Sequence, residues 1–118
     1  MNRRKESDIL ASTYFDSMDI IRSVDIESDR HHLIDMQDKV IARDVPCELD
    51  KESEALLSNE DVIGVVASYT VFTRPETDVR EGDKLRVNHL DRIYECVAGI
   101  PFNFRSHLEI PVSLEERV

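Results

Sequence analysis

The chain has 118 residues, of which 41% are hydrophobic and 34% charged, and a formal net charge of −10. That length suits one domain with a modest core of Val, Ile and Leu, and it leaves no room for two independent cores. A basic face is what direct phosphate binding requires, so sequence-specific nucleic-acid recognition is not expected of so acidic a chain. The charge is also uneven. Residues 1–5 carry three basic side chains, residues 6–61 carry 16 acidic against 5 basic, and residues 62–118 carry 9 against 7. No apolar run approaches the roughly 18 residues that cross a bilayer. The opening MNRRKESD is basic, but no apolar block of signal length follows it. The expectation is a single domain over 1–118, with no membrane association, made and kept in the cytoplasm.

Leu10, Tyr14 and Met18 recur at four-residue spacing with Ala11 and Phe15 beside them, which predicts a short helix over Asp8–Met18 with Ser7 as its N-cap. The stripe formed by Leu10, Tyr14, Phe15 and Met18 is a candidate docking face, either on this domain or on a neighbour. Asp19–Ser28 alternates as a strand, with Ile20, Val24 and Ile26 on one face. A polar turn at Asp29–His32 and a return strand from Leu33 follow. Val40–Leu49 is a further strand, and its Pro46 must lie at an edge, bulge or bend because proline cannot donate to a ladder.

Asp50–Asp61, DKESEALLSNED, is the least strand-like part. It reads as a long acidic loop, with room for a short helix around Glu54–Leu57. β character resumes over Val62–Thr73, and strands at Lys84–Asn88, Ile93–Ala98 and His107–Leu114 complete the set. Between them lies Val79-Arg80-Glu81-Gly82-Asp83, a hydrophobic-x-x-Gly-Asp corner. Gly82 supplies φ > 0 there, and Asp83 can bond its own backbone across the turn. The link Gly99–Ser106 places Phe102 and Phe104 in a turn-like context. The fold class is therefore mainly β: a small antiparallel barrel or sandwich of about six strands, with a short N-terminal helix and a long acidic loop.

Little of this carries chemistry. Cys47 and Cys96 are too few and too isolated for a disulfide framework or a zinc motif, and each stands in a strand-like run as a small buried hydrophobe. His31 and His32 point to opposite faces if extended, so they do not chelate one ion. Asp91 is better placed to cap its hairpin turn than to orient His89 for catalysis, and His107 has no nucleophile nearby. Phosphate-binding Gly-rich loops, GxSxG and HExxH are all missing from the sequence. No catalytic, cofactor-binding or metal-ligating residue is assigned, and no enzyme is expected. The segment with most room for function is the acidic one. Asp50, Glu52, Glu54, Glu60 and Asp61 form either a solvated connector or an interaction and channel-lining loop that repels phosphate.

Taken in order, several segments form a recognisable set. They are the N-terminal helix, Asp19-Ile20-Ile21, Asp44-Val45-Pro46-Cys47-Glu48-Leu49, the acidic segment, Phe72-Thr73-Arg74-Pro75, Asp78–Asp83 and Tyr94-Glu95-Cys96-Val97. Together they resemble the head-closure, or head–tail connector, proteins of tailed bacteriophages, and most closely the small neck proteins of PBSX-like Bacillus prophages. The likeness spans about Asp8–Leu114. It implies a small β-barrel in the neck of a virion, assembled as a ring between the portal and the tail, with portal or adaptor proteins and tail proteins as partners. Ring formation belongs to the particle, and the isolated chain is expected to be monomeric because its apolar content offers little beyond one core. Competing readings are a tail-completion or terminator protein and a bacterial SH3-like binding module. The last of these needs an exposed aromatic groove, which only Phe102 and Phe104 offer.

Overall fold

The computed structural model describes residues 3–27 and 34–115. One helix, α1 (Arg3–Ala11), precedes seven strands: β1 (Asp16–Glu27), β2 (Ile34–Ser58), β3 (Asp61–Thr73), β4 (Lys84–His89), β5 (Arg92–Ala98), β6 (Phe102–Asn103) and β7 (Leu108–Leu114). All pairings are antiparallel, in the order β3-β2-β1-β4-β5-β7-β6. A further pairing of β3 with β7 closes six of the strands into a ring. The expected mainly-β antiparallel class with a short N-terminal helix is what the chain adopts.

Each ring strand sends its alternate residues inward, as the period of two requires. The core consists of Met18 and Ile20 from β1, Cys47 and Leu49 from β2, Val71 from β3, Leu85 and Val87 from β4, Cys96 and Ala98 from β5, and Leu108 and Ile110 from β7, with Val79 of the corner added. Burying a side chain of this size stabilises the fold by about 1.5–3 kcal/mol. Both cysteines are buried and free. Burial, with the negative charge of Asp16 second, pushes the Cys47 thiol up to about 12. Burial and then Glu95 push Cys96 up to about 11.

The folded state therefore holds both thiols neutral, whereas an unfolded cysteine ionises near about pH 8.5. This contribution to stability is fully present below that pH and is lost as pH climbs toward the folded values. At about pH 8 both cysteines are expected to resist an aromatic disulfide reagent until denaturant is added. The denaturant midpoint is expected to be lower at about pH 10.5 than at about pH 8. Fast labelling of the native chain would contradict this.

The corner is stitched on three sides. Gly82, at φ 89°, donates its N–H to the Ala98 carbonyl at 2.8 Å, and Ala98 donates back to the Asp83 carbonyl at 2.8 Å. The Asp83 carboxylate accepts from the Arg80 N–H at 2.9 Å. It also accepts two bonds from Arg22 of β1, from Nε and Nη2, each at 2.9 Å. Arg22 is largely buried and Asp83 almost fully so. The bidentate bond to Asp83, with Asp78 assisting, holds the guanidinium proton more tightly than usual. A second buried link ties the far end of β1. His89 Nδ1 lies 2.9 Å from both Asp16 carboxylate oxygens, and one of them accepts the Leu49 N–H at 2.8 Å.

Strand β2 departs most from expectation. Instead of two short strands and a loop it is one strand of 25 residues. It pairs with β1 up to Cys47 and with β3 from Cys47 onward. Pro46, opposite Ser17 one position from the end of the β1 pairing, sits beside this change of partner, at the strand margin where proline is tolerated. Two register shifts opposite β1, one of them at Asp44 with φ 52°, bend the strand as bulges do.

The ring engages only the middle of β2. Its N-terminal part continues beyond the β1–β4 pairing as a hairpin arm of Arg22–Glu27 against Ile34–Lys39, and the Asp29–His32 turn with His31 and His32 lies outside the described residues. Its C-terminal part makes a longer arm with β3. These arms raise the radius of gyration to 17.5 Å, against roughly 13 Å for a compact domain of this length.

The predicted helix is also corrected. It ends at Ala11, where the Ser12 and Thr13 hydroxyls donate to the carbonyls of Ile9 and Leu10 at 2.6 and 2.7 Å. Side-chain bonding of this kind offers the backbone an alternative to another helical turn. The chain then extends into β1. Ser7 is a buried residue within α1 and not its cap.

Candidate interaction surfaces

Residues 50–61 are not a loop. Asp50–Ser58 forms a ladder with β3 in which Asp50 faces Thr70, Glu52 faces Ser68 and Glu54 faces Val66, down to Ser58 opposite Asp61. Asn59 and Glu60 make the two-residue turn, with φ of 50° and 68°, as a right-twisted hairpin requires. Asp50, Glu52, Glu54, Glu60 and Asp61 are all exposed on this arm. The structure brings the first three to one face at strand spacing and puts the last two at the tip. The sequence points away from this because Glu, Lys, Ser and Ala have weak strand preference. The Val- and Ile-rich β3 supplies the preference instead. Asn59, which tolerates φ > 0, was the available turn signal.

The opposite face of the arm continues the inward face of the ring. Beyond Cys47 and Leu49 the alternation places Lys51, Ser53, Ala55 and Leu57 on that side, facing Tyr69, Ala67, Val65 and Val62. A register shift beside Leu57 leaves Ile63 as an extra residue. Past Lys51 and Tyr69 no core covers these positions. Leu57, Val62 and Val65 on this side and the extra Ile63 are 62–67% exposed, and Leu56 and Val66, 47% and 49% exposed, lie on the carboxylate side. The arm thus gathers its carboxylates on one face and carries uncovered apolar side chains on both. Both of its edges are open, since β1 leaves β2 at Cys47 and β7 pairs with β3 only over Tyr69–Thr73. A lone two-stranded ribbon is marginal in water, and long open edges invite pairing.

The expected docking stripe does not hold together. Leu10 lies on α1, Tyr14 follows it in an irregular segment, Phe15 is 90% exposed and Met18 is buried in the core on β1. Leu10 and Tyr14 instead line a groove of about 320 Å³ with Glu48, Phe72, His107 and Glu109. Beside it runs a ladder of rings. Phe72 lies 5.8 Å from His107, Phe104 stacks on His107 at 4.8 Å and 11°, and Phe102 tilts against Phe104 at 4.8 Å. Phe102 and Phe104 are both exposed. The sequence reading singled out these two but not His107 and Phe72, because the four meet only when β6 folds back on β7 and β7 pairs with β3. Among the described residues, no group of three or more His, Cys, Asp or Glu side chains is arranged to hold a metal ion. Among the same residues, no helix is long and apolar enough to cross a membrane.

No protein-family model matches the chain, and no curated protein matches it. Among solved structures it is similar to the phage-like element PBSX protein xkdH from Bacillus subtilis. The TM-score is 0.54 at 19% identity, over 86% of this chain and 95% of that one. The two chains share a fold, and almost the whole of the PBSX protein is covered by it.

Proposed function

We propose that the chain is a structural component of a phage or prophage particle, a head–tail connector that assembles as a ring between portal and tail and closes the DNA-filled head. The observation that carries this reading is the β2–β3 arm, borne on a fold shared with a phage-element protein. It is an exposed ribbon with uncovered apolar side chains, two open edges and a line of carboxylates, features that suit burial by neighbours in an assembly. The acidic face suits a passage for DNA, since like charge keeps phosphate from sticking to the wall.

Deleting the gene from a particle-producing strain tests the reading. The expected result is filled or leaking heads and separate tails, with the tagged chain at the neck of wild-type particles by gold labelling. Normal joined particles from the deletion strain would overturn it. Tail-completion is the neighbouring alternative, and co-purification with tail tube instead of portal would select it. A small-barrel binding module draws on a different observation, the exposed Phe102 and Phe104.

A further inference from the structure

Two features are unused by the arm-based reading: the aromatic groove and the basic start of the chain. The groove is built to hold a cation. Its aromatic walls are Tyr14, Phe72 and His107, with Phe104 stacked on His107 beside the groove. Two of its lining residues, Glu48 and Glu109, are carboxylates. His107 is fixed at both nitrogens, Nδ1 at 2.9 Å from Ser106 Oγ and Nε2 at 3.1 Å from Glu109 Oε1. The negative potential reaches Tyr14, whose phenol is raised first by burial and next by Glu48. Arg74 also acts on Tyr14, but Asp8 holds its guanidinium at 2.6 Å. Aromatic faces beside carboxylates are the arrangement that recognises guanidinium and ammonium groups. The volume admits one or two long side chains.

We propose that this groove receives the Arg3-Arg4-Lys5 segment of a second copy of the chain. Charge complementarity selects it. Three consecutive cations open a chain whose remainder is strongly acidic, and copies that repel overall need a local attraction in order to meet. Within one copy the backbone of α1 holds residues 3–5 about 7.5–10.5 Å along the axis from Leu10, which lines the groove, so a second copy is the donor. The contact is therefore heterologous, one surface against a different one, and such contacts close into rings where the rotation between copies closes. One small groove makes it weak outside a particle, in keeping with an isolated monomer. The inference deepens the assembly reading and rests on it.

The test titrates a fluorescent MNRRKESD peptide with the full-length chain and reads anisotropy. Saturable binding is expected at low salt, with about tenfold loss on Phe72→Ala or on joint Glu48→Lys and Glu109→Lys substitution. Thermal melts confirm that the variants fold. The charge-reversed groove is expected to bind a peptide in which Arg3, Arg4 and Lys5 are replaced by Glu. No saturable binding to the wild-type chain, or binding unchanged by the groove substitutions, overturns the proposal. Failure of the peptide with the chain still at the neck removes the groove contact alone. Absence of the chain from particles removes the assembly reading.

Discussion

Asp83→Ala is expected to lower folding stability by about 3–5 kcal/mol, seen as a fall of roughly 10–20 °C in Tm. Asp83 carries three of the bonds that define the corner, two from Arg22 and one from the Arg80 N–H. Its removal leaves a largely buried guanidinium with only Asp78, at 3.4 Å and more exposed, as a partner. Breaking one side of such a pair costs more than the pair is worth, because the remaining charge stays out of water. Asp83→Asn keeps an acceptor for the Arg80 N–H but loses the charge, and is expected to fall between wild type and Asp83→Ala. Gly82→Ala isolates the backbone share. Nothing lies within 4 Å of an added Cβ, so its cost is the φ of 89° alone, about 1–2 kcal/mol. A melt of Asp83→Ala within about 3 °C of wild type would show that the corner does not clamp β1.

Excising the β2–β3 arm is expected to separate folding from assembly. Lys51 and Tyr69 are already cross-strand partners, so Glu52–Ser68 can be replaced by a two-residue Asn-Gly turn that suits a hairpin of this twist. None of the core residues lies in the removed segment. The shortened chain is expected to melt within a few degrees of wild type and to remain a monomer, yet to be absent from particles when it replaces the full chain. Aggregation should also diminish, since six exposed apolar side chains and two open edges leave with the arm. Loss of the fold would show that the arm is part of the domain's stability. Normal incorporation would place the assembly contact elsewhere.

The corner and the arm mark the two ends of what could be read before the structure. Gly82 and Asp83 were legible because their signal is local. A residue without Cβ and a carboxylate at the next position define a turn wherever they fall. The burial of Cys47 and Cys96 followed from their alternating surroundings in the same way. The helix failed beyond Ala11 because apolar spacing at Tyr14, Phe15 and Met18 fits a helix as well as the approach to a strand. What ended it was a pair of hydroxyl bonds from Ser12 and Thr13. The arm was missed because the pattern within 50–61 is not the cause of its structure. Its partner strand is.

Composition, alternation and turn residues were therefore enough for the class, for most strand positions and for the acidic character of one segment. These depend on neighbours along the chain, and the hydrophobic effect and backbone sterics act there without long-range information. Three things were decided only by tertiary pairing. The first was the 25-residue β2 that changes partner at Cys47. The second was Arg22 reaching Asp83 across 61 positions, and the third was the ladder of Phe72, Phe102, Phe104 and His107. Each joins residues far apart in sequence, and the energy that selects them exists only once ring closure has brought the strands together.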